Sequence, residues 1–544
     1  MDSVYVKITF EVNNEEKVIV MKGLQLNELT VEQKIGQVMV ARGNWYDDKE
    51  FLYELLEKRA IGGIQVPFTE TVLEDIEELK RHADYPVLIC ADMEKGFPKS
   101  PYQIPSMLGL GITGDEELAY QVGVVTAIEA KRYGFNTVWG PVVDLITGNA
   151  MCKVPRVFGK DPEYVSKMAA AVLRGYRDNG MVASAKHWPG SLDVKRDGHV
   201  FGNTSQMTEE EIVNIVFRPY QYLMEKEGLG AVMSGHTMYP NVDDTYPSSV
   251  SEKIIGILRK QGFDGLMFTD SFAMNGILQR FGEEACYGLA IKAGNDMILP
   301  NYRTSLKTSY EYLLNAYKEG VFTEERLNEA VRRVIEAQNF TLKPAVASEV
   351  SEEQKECFRR IEQDSICAIK DEGLSLDLRN GKAKLFIVVE DNYYKDDDGV
   401  EYEISDPSGI NRQNLAQVKE SILKRFPDSK IEVVSQYPSP RQVQKACIAS
   451  TYSEEVIYLT FVSSTSYRIG ENFTEVLLNL MSSMEGKISA IAHLGNPYAL
   501  EMTPHIPRKL MSVGGGASTI DRFIGIMAGE YEPKGILPLD IRFQ

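Results

Sequence analysis

Five short runs of apolar residues, each closing on a polar or charged side chain, set the pattern of the first two thirds of the chain. Pro86-Val87-Leu88-Ile89-Cys90-Ala91 ends at Asp92-Met93-Glu94, and Thr137 to Val143 ends at Asp144. Met181-Val182-Ala183-Ser184-Ala185 runs into Lys186-His187, Gly230 to Gly235 into His236, and Gly265 to Thr269 into Asp270. Between them lie longer segments of helical period, such as 116–133 and 209–227. Nearly continuous apolar strands alternating with helices predict a parallel sheet covered on both faces. Polar residues at so many separate strand ends favour a (β/α)8 TIM-type barrel, whose site gathers at the C-terminal strand ends. An open doubly wound sheet is the alternative.

The pattern divides the chain into four parts. Residues 1–24 alternate as two strands around Asn13-Asn14, predicting an N-terminal β-hairpin. The barrel is expected over 25–342, closing with a helix at 324–338. A linker follows at 343–360, and a second α/β sandwich domain over 361–544, with strands at 384–389, 456–461 and 488–492. Gly514-Gly515-Gly516 lacks the lysine and spacing of a phosphate loop and reads as a turn.

Composition narrows the function. The 544 residues carry a net charge of −19 without a long basic run, which argues against a nucleic-acid partner. No apolar run approaches a membrane span. The start, Met1 to Lys7, lacks the pattern of a secretory signal, and the six cysteines are dispersed, so free thiols in a reducing cytoplasm are expected.

The richest chemistry lies in 186–199, where two lysines, two histidines and two aspartates alternate with Pro189, Gly190 and Gly198. Lys186-His187-Trp188-Pro189-Gly190 followed by Asp197-Gly198-His199 resembles the signature loop of glycoside hydrolase family 3, in its β-N-acetylhexosaminidase branch. Gly262-Phe263-Asp264-Gly265 leading to Thr269-Asp270 is similar to that family's nucleophile strand. Asp92-Met93-Glu94, Pro155-Arg156-Val157-Phe158-Gly159, Pro247 to Ser251 and Ala293 to Met297 extend the resemblance, in family order, over roughly 25–340.

The resemblance implies a retaining exo-glycosidase acting on terminal β-linked N-acetylglucosamine, without metal or organic cofactor. Asp270 would be the nucleophile, and His199 the acid/base in place of the usual second carboxylate. Asp197 would fix the imidazole tautomer, as a triad carboxylate does, and raise its basicity. Asp92, Arg156, Lys186 and His187 would hold sugar hydroxyls, with Asp144, His236 and Met274 as further substrate-binding candidates. Most also have a plainer role: helix cap for Asp270, solvated loop for Asp197 and His199, buried rim hydrogen bonds for Asp144 and His236, a surface turn for Asp92, and ion pairs with these carboxylates for Arg156 and Lys186.

Three departures touch the pocket walls: Ser191-Leu192 where the family has His-Gly, Phe97 where it has an arginine, and Gly198 where it has serine. The partner is expected to be a small carbohydrate and the protein a monomer or homodimer. Competing readings are a phosphorylase, a β-glucosidase, a metal-dependent hydrolase using His187, His199, His236 and Asp270, and a non-catalytic sugar binder.

Overall fold

The computed structural model describes residues 5–12, 15–42, 46–147, 151–194, 196–371, 373–390, 394–395, 401–402, 410, 414–462 and 472–542. The expected turn at Asn13-Asn14 lies outside them, as does Lys195. Two compact units emerge, neither contiguous in sequence. One comprises Met1–Gln103, Glu116–Leu145 and Asp161–Lys355; the other comprises Ile104–Asp115, Ile146–Lys160 and Glu356–Gln544.

The first unit opens with an antiparallel pair, β1 (Tyr5–Val12) and β2 (Glu15–Lys22). Eight parallel strands follow: β3 (Val40–Ala41), β4 (Gly63–Gln65), β5 (Leu88–Ala91), β6 (Thr137–Val138), β7 (Val182–Trp188), β8 (Ala231–Ser234), β9 (Leu266–Ser271) and β10 (Met297–Leu299). They pair strictly in chain order. The Ile298 N–H donates to Val38 O at 3.0 Å and Met39 bridges Ile298, bringing the two edges together. The (β/α)8 barrel is therefore borne out and the open sheet is not.

The interior is filled by alternate side chains, Val40, Leu88, Cys90, Trp139, Val182, Met233, Phe268 and Leu299 among them, all buried. Full burial of such side chains is worth about 1.5–3 kcal/mol each, so the core rather than strand length holds these short strands in place.

Helices alternate with the strands. Glu116–Arg132 and Glu324–Phe340 form where their periodicity predicts. The segment 209–227 is not one regular helix. It passes through a wide turn at Ile212–Val216 before Arg218–Glu227, whose Pro219 has no N–H to continue a ladder. The stretch read as a linker is helical from Glu352 to Asp364.

The second unit contains β11 (Cys367–Lys370), β12 (Lys384–Glu390), the short pair β13 (Tyr394–Lys395) and β14 (Glu401–Tyr402), then β15 (Lys430–Ser435), β16 (Glu455–Val462), β17 (Ile488–Gly495) and β18 (Arg508–Ser512). Its six-stranded sheet runs β11-β18-β17-β16-β12-β15, with only β11 antiparallel to its neighbour. β16 and β17 are buried along their whole length, as central strands covered on both faces must be. The triple glycine is a turn into the helix Gly516–Met527. Gly514 and Gly515 both have positive φ, and a Cβ on Gly515 would collide with Thr519 Oγ1 at 1.9 Å.

Candidate active site

The chemistry collects at the C-terminal ends of the barrel strands. Lys186, near the end of β7, is 2% exposed and places its ammonium 2.6 Å from Asp92 Oδ1 and 2.8 Å from Glu94 Oε1. Both carboxylates follow β5. A buried ammonium needs such partners, because desolvation of an unpaired charge costs several kcal/mol.

His187 is held by Asp144. Oδ1 of Asp144 accepts the His187 backbone N–H at 3.1 Å, and Oδ2 accepts from Nδ1 at 2.9 Å. An ionised carboxylate can only accept, which puts the proton on Nδ1 and aims Nε2 elsewhere. That nitrogen lies 3.9 Å from Asp270 Oδ2. Asp144 reaches this position because the chain beyond β6 stays alongside β7: Val143 N–H donates to Lys186 O at 2.9 Å, and Lys186 N–H to Pro141 O at 3.2 Å.

Asp270 stands at the end of β9, its side chain one-fifth exposed, with Oδ1 accepting the Ser271 N–H at 2.7 Å. Burial alone would raise its carboxyl. The fields of His187 and His236, the Ser271 N–H and the Lys186 ammonium together outweigh it, and the group sits at about 2.

His236, beyond β8, has both ring nitrogens occupied by protein atoms. Nε2 donates to Ser271 O at 3.0 Å, and Nδ1 accepts from the Ser249 hydroxyl at 2.7 Å. Burial pushes its imidazole below the usual value, against the pull of Asp270. It therefore fixes the backbone that carries Asp270.

Asp197 and His199 form a pair on the loop after β7. Asp197 Oδ1 accepts from His199 Nδ1 at 2.7 Å and from the His199 N–H at 3.0 Å. The loop is tied down beyond that: Phe201 N–H donates to Asp197 O at 2.9 Å, and Asn275 N–H to His199 O at 3.3 Å.

Met274 is buried and immediately precedes the helix Asn275–Phe281. A Cβ on Gly198 would lie 3.0 Å from its Cε, so the thioether packs against the glycine of the pair. A serine there would have to displace it. Arg156 ends the short segment Met151–Arg156, in a stretch that packs within the second unit.

Trp188, fully buried, anchors the signature loop from behind. Its Nε1–H donates to Ile254 O at 3.0 Å, and its ring meets Tyr220 edge-on at 5.2 Å. Ser191 of the altered loop is also buried.

One participant stands outside the residues expected from the sequence. Arg42 follows β3 and donates to Gln65 Oε1 at 2.6 Å, to Pro300 O at 3.3 Å and to the Ser271 hydroxyl. Burial lowers its guanidinium while Asp92 and Asp270 pull the other way. The signal was present, since Val38-Met39-Val40-Ala41 also ends on a charged residue, but the strand is only two residues long.

The proposed metal set does not form a cage. Among the described residues no three His, Cys, Asp or Glu side chains converge as a cation site. His187 and His199 each face their own aspartate, and His236 is saturated.

Several known proteins are similar to this chain. Residues 30–337 match the glycosyl hydrolase family 3 N terminal domain. A β-N-acetylglucosaminidase/β-glucosidase of Cellulomonas fimi is 24% identical over 95% of this chain and 94% of its own. A β-hexosaminidase of Thiobacillus denitrificans is 35% identical over 42% of this chain, a match spanning 65% of that relative. Among solved structures, a family 3 β-N-acetylglucosaminidase from Paenibacillus sp. superposes with a TM-score of 0.77 at 23% identity, over 95% of this chain and all of that one. A β-glucoside phosphorylase reaches 0.76 at 24% identity, covering 95% and 94%. These two likenesses speak to the fold, and the family model covers more than half of the sequence, barrel strand ends included. The chain belongs to glycoside hydrolase family 3.

Proposed function

We propose that this family 3 enzyme is a retaining exo-β-N-acetylglucosaminidase, taking terminal β-linked N-acetylglucosamine from cell-wall-derived or chitin-type oligosaccharides in the cytoplasm, as a monomer or homodimer. The observation that carries the reading is the pairing of an Asp270 carboxylate held at about 2 with an Asp197–His199 couple anchored on the segment just after it. The names of the Cellulomonas and Thiobacillus relatives support the sugar.

In this reading Asp270 Oδ2 attacks the anomeric carbon as the bond to the leaving oxygen breaks, and His199 gives that oxygen its proton. Donation from Nδ1–H to Asp197 directs the exchangeable proton to Nε2 and stabilises the imidazolium. Water then displaces Asp270, with His199 taking the proton back. Lys186, Asp92, His187 and Asp144 are the groups assigned to sugar hydroxyls, with Glu94 setting the Lys186 position. Arg156 keeps that assignment only on the resemblance.

A second reading shares the nucleophile and replaces water by phosphate. It is favoured by the acid/base being a histidine, which carries no fixed negative charge to repel a phosphate dianion. One assay separates the two: nitrophenol release from its β-N-acetylglucosaminide and its β-glucoside, with and without phosphate, with Asp270→Ala as control. Loss of at least about 1000-fold in the variant is expected. Stimulation by phosphate with sugar 1-phosphate as product moves the enzyme to the phosphorylase. Faster turnover of the glucoside makes it a β-glucosidase. Undiminished turnover by the variant, or sugar affinity without turnover by the wild type, defeats the proposal.

A further inference from the structure

The opposite end of the barrel holds a second feature, unconnected with glycoside chemistry. A cavity of about 570 Å³ opens where Pro86 and Val87 enter β5 and Asn136 enters β6, at the N-terminal ends of strands whose other ends carry the candidate site. Four cations line it, Lys80, Lys131, Arg132 and Lys343, and no carboxylate does. In a chain of net charge −19, that concentration of positive charge runs against the composition.

Arg132 is partly neutralised by Glu129 at 2.9 Å. Among the described residues, none of the three lysines has a carboxylate within ion-pair distance. Lys131 instead donates to the Lys343 carbonyl at 2.7 Å. Burial pushes its ammonium down to about 8, and the charge of Lys343 adds to the effect. Burial also lowers Lys80, with only Glu77 opposing. Like charges gathered in a partly desolvated hollow are costly unless an anion joins them.

The remaining wall mixes polar Asn136, Thr341 and Ser348 with apolar side chains of the strap 341–348, Leu342 and Pro344 among them, while Ile89, Ile128 and Phe135 are buried behind it. The strap is fixed at both ends: Lys343 N–H donates to Phe340 O at 3.1 Å and Val346 N–H to Asn179 Oδ1 at 3.0 Å. The hollow is thus a formed feature of the barrel floor, with charged and apolar sides.

We propose that this cavity binds a small organic anion, a phosphate ester or carboxylate whose charged group meets Lys80, Lys131 and Lys343 and whose body lies against Leu342 and Pro344. The site is distinct from that of Asp270, and its test does not depend on the assignment made there.

Calorimetric titration of the full chain at pH 7 with phenyl phosphate, benzoate and benzyl alcohol tests it, in the wild type and in Lys131→Gln/Lys343→Gln. One anion per chain is expected to bind at least about tenfold more tightly than the neutral alcohol, since charge-assisted contacts dominate such sites. The better of the two anions identifies phosphate ester or carboxylate. The double variant should weaken that binding about tenfold or more, with glycoside turnover unchanged. The exposed Lys343→Gln alone serves if the double variant melts early. At pH 8, where Lys131 is about half protonated, binding should also take up as much as about half a proton, read from heats in two buffers. Anion affinity equal to that of the alcohol, affinity retained in the variants, or absent proton uptake would overturn the proposal.

Discussion

Replacing Lys186 by methionine tests the arrangement around β7 most directly. The substitution keeps the side-chain volume and removes the charge, leaving Asp92 and Glu94 facing each other across the space the ammonium occupied. Truncating one partner of a buried ion pair costs about 3–5 kcal/mol, because the other charge stays desolvated. Here the two partners differ. Asp92 is 56% exposed and can rehydrate, which limits its share to the range of surface pairs, about 0–1 kcal/mol. Glu94 is 16% exposed and bears most of the loss. The net expectation is about 2–4 kcal/mol, or a melting temperature lower by about 4–10 °C for a unit of this size. Scanning calorimetry at pH 7 on the wild type, Lys186→Met, Glu94→Gln and the double variant closes a thermodynamic cycle. The double variant should be more stable than Lys186→Met alone, because one of the two carboxylates that faced the ammonium is then gone. Melting of Lys186→Met within about 1 °C of wild type, or a double variant no better than the single, refutes the reasoning.

Three further expectations follow from the same geometry. Because the Asp270 carboxyl is depressed to about 2 in the folded chain, it stabilises the fold fully above about pH 4 and loses that contribution as pH falls towards 2. The difference amounts to about 2 kcal/mol, and acid unfolding of Asp270→Asn should lack it, so parallel acid titrations of the two proteins would contradict the assignment. His199→Ala should slow glycosides with poor leaving groups by about 100- to 1000-fold and nitrophenyl glycosides far less, with Asp197→Asn following the same trend; equal losses on both substrates would remove His199 as the acid. Asp296 is fully buried and accepts from Arg259 at 2.8 Å, Arg326, Arg333 at 3.1 Å and the Met267 N–H at 2.9 Å. Asp296→Ala should therefore lose about 3–5 kcal/mol in chemical denaturation while its folded fraction keeps wild-type kcat, and loss of kcat at unchanged stability would give Asp296 a role in the chemistry.

What could be read from the sequence depended on how far each strand relied on its own residues. β7, β8 and β9 are four to seven residues of apolar chain with polar ends, and their expected bounds lie within three residues of the observed ones. β3, β4 and β10 are two or three residues long and owe their extension to pairing with neighbours, which no local pattern records. Arg42 was lost with β3. The Asp197–His199 couple was legible because its spacing is short. The pairing of Lys186 with Glu94 was not, since it joins strand ends 92 positions apart that meet only in the closed barrel. His236 shows the remaining gap. Its place after a strand is visible in sequence, but the two hydrogen bonds that occupy its ring come from Ser249 and Ser271, and only their spatial arrangement reveals them.

The bond between Val38 and Ile298 has a consequence for when the enzyme becomes an enzyme. The strands add in order, so each new one can dock on its predecessor while the chain is being made. The seam between first and last must wait until residue 298 has been synthesised. The entropy of closing that long loop rises only with the logarithm of its length, about 0.6 kcal/mol per doubling, so the delay is a matter of order rather than of cost. Arg42 lies on one side of the seam and Ser271 and Pro300 on the other, so the contacts that brace Asp270 from the first strand are made last. A nascent or truncated chain ending before β10 would carry every signature residue of the loop after β7 without that bracing.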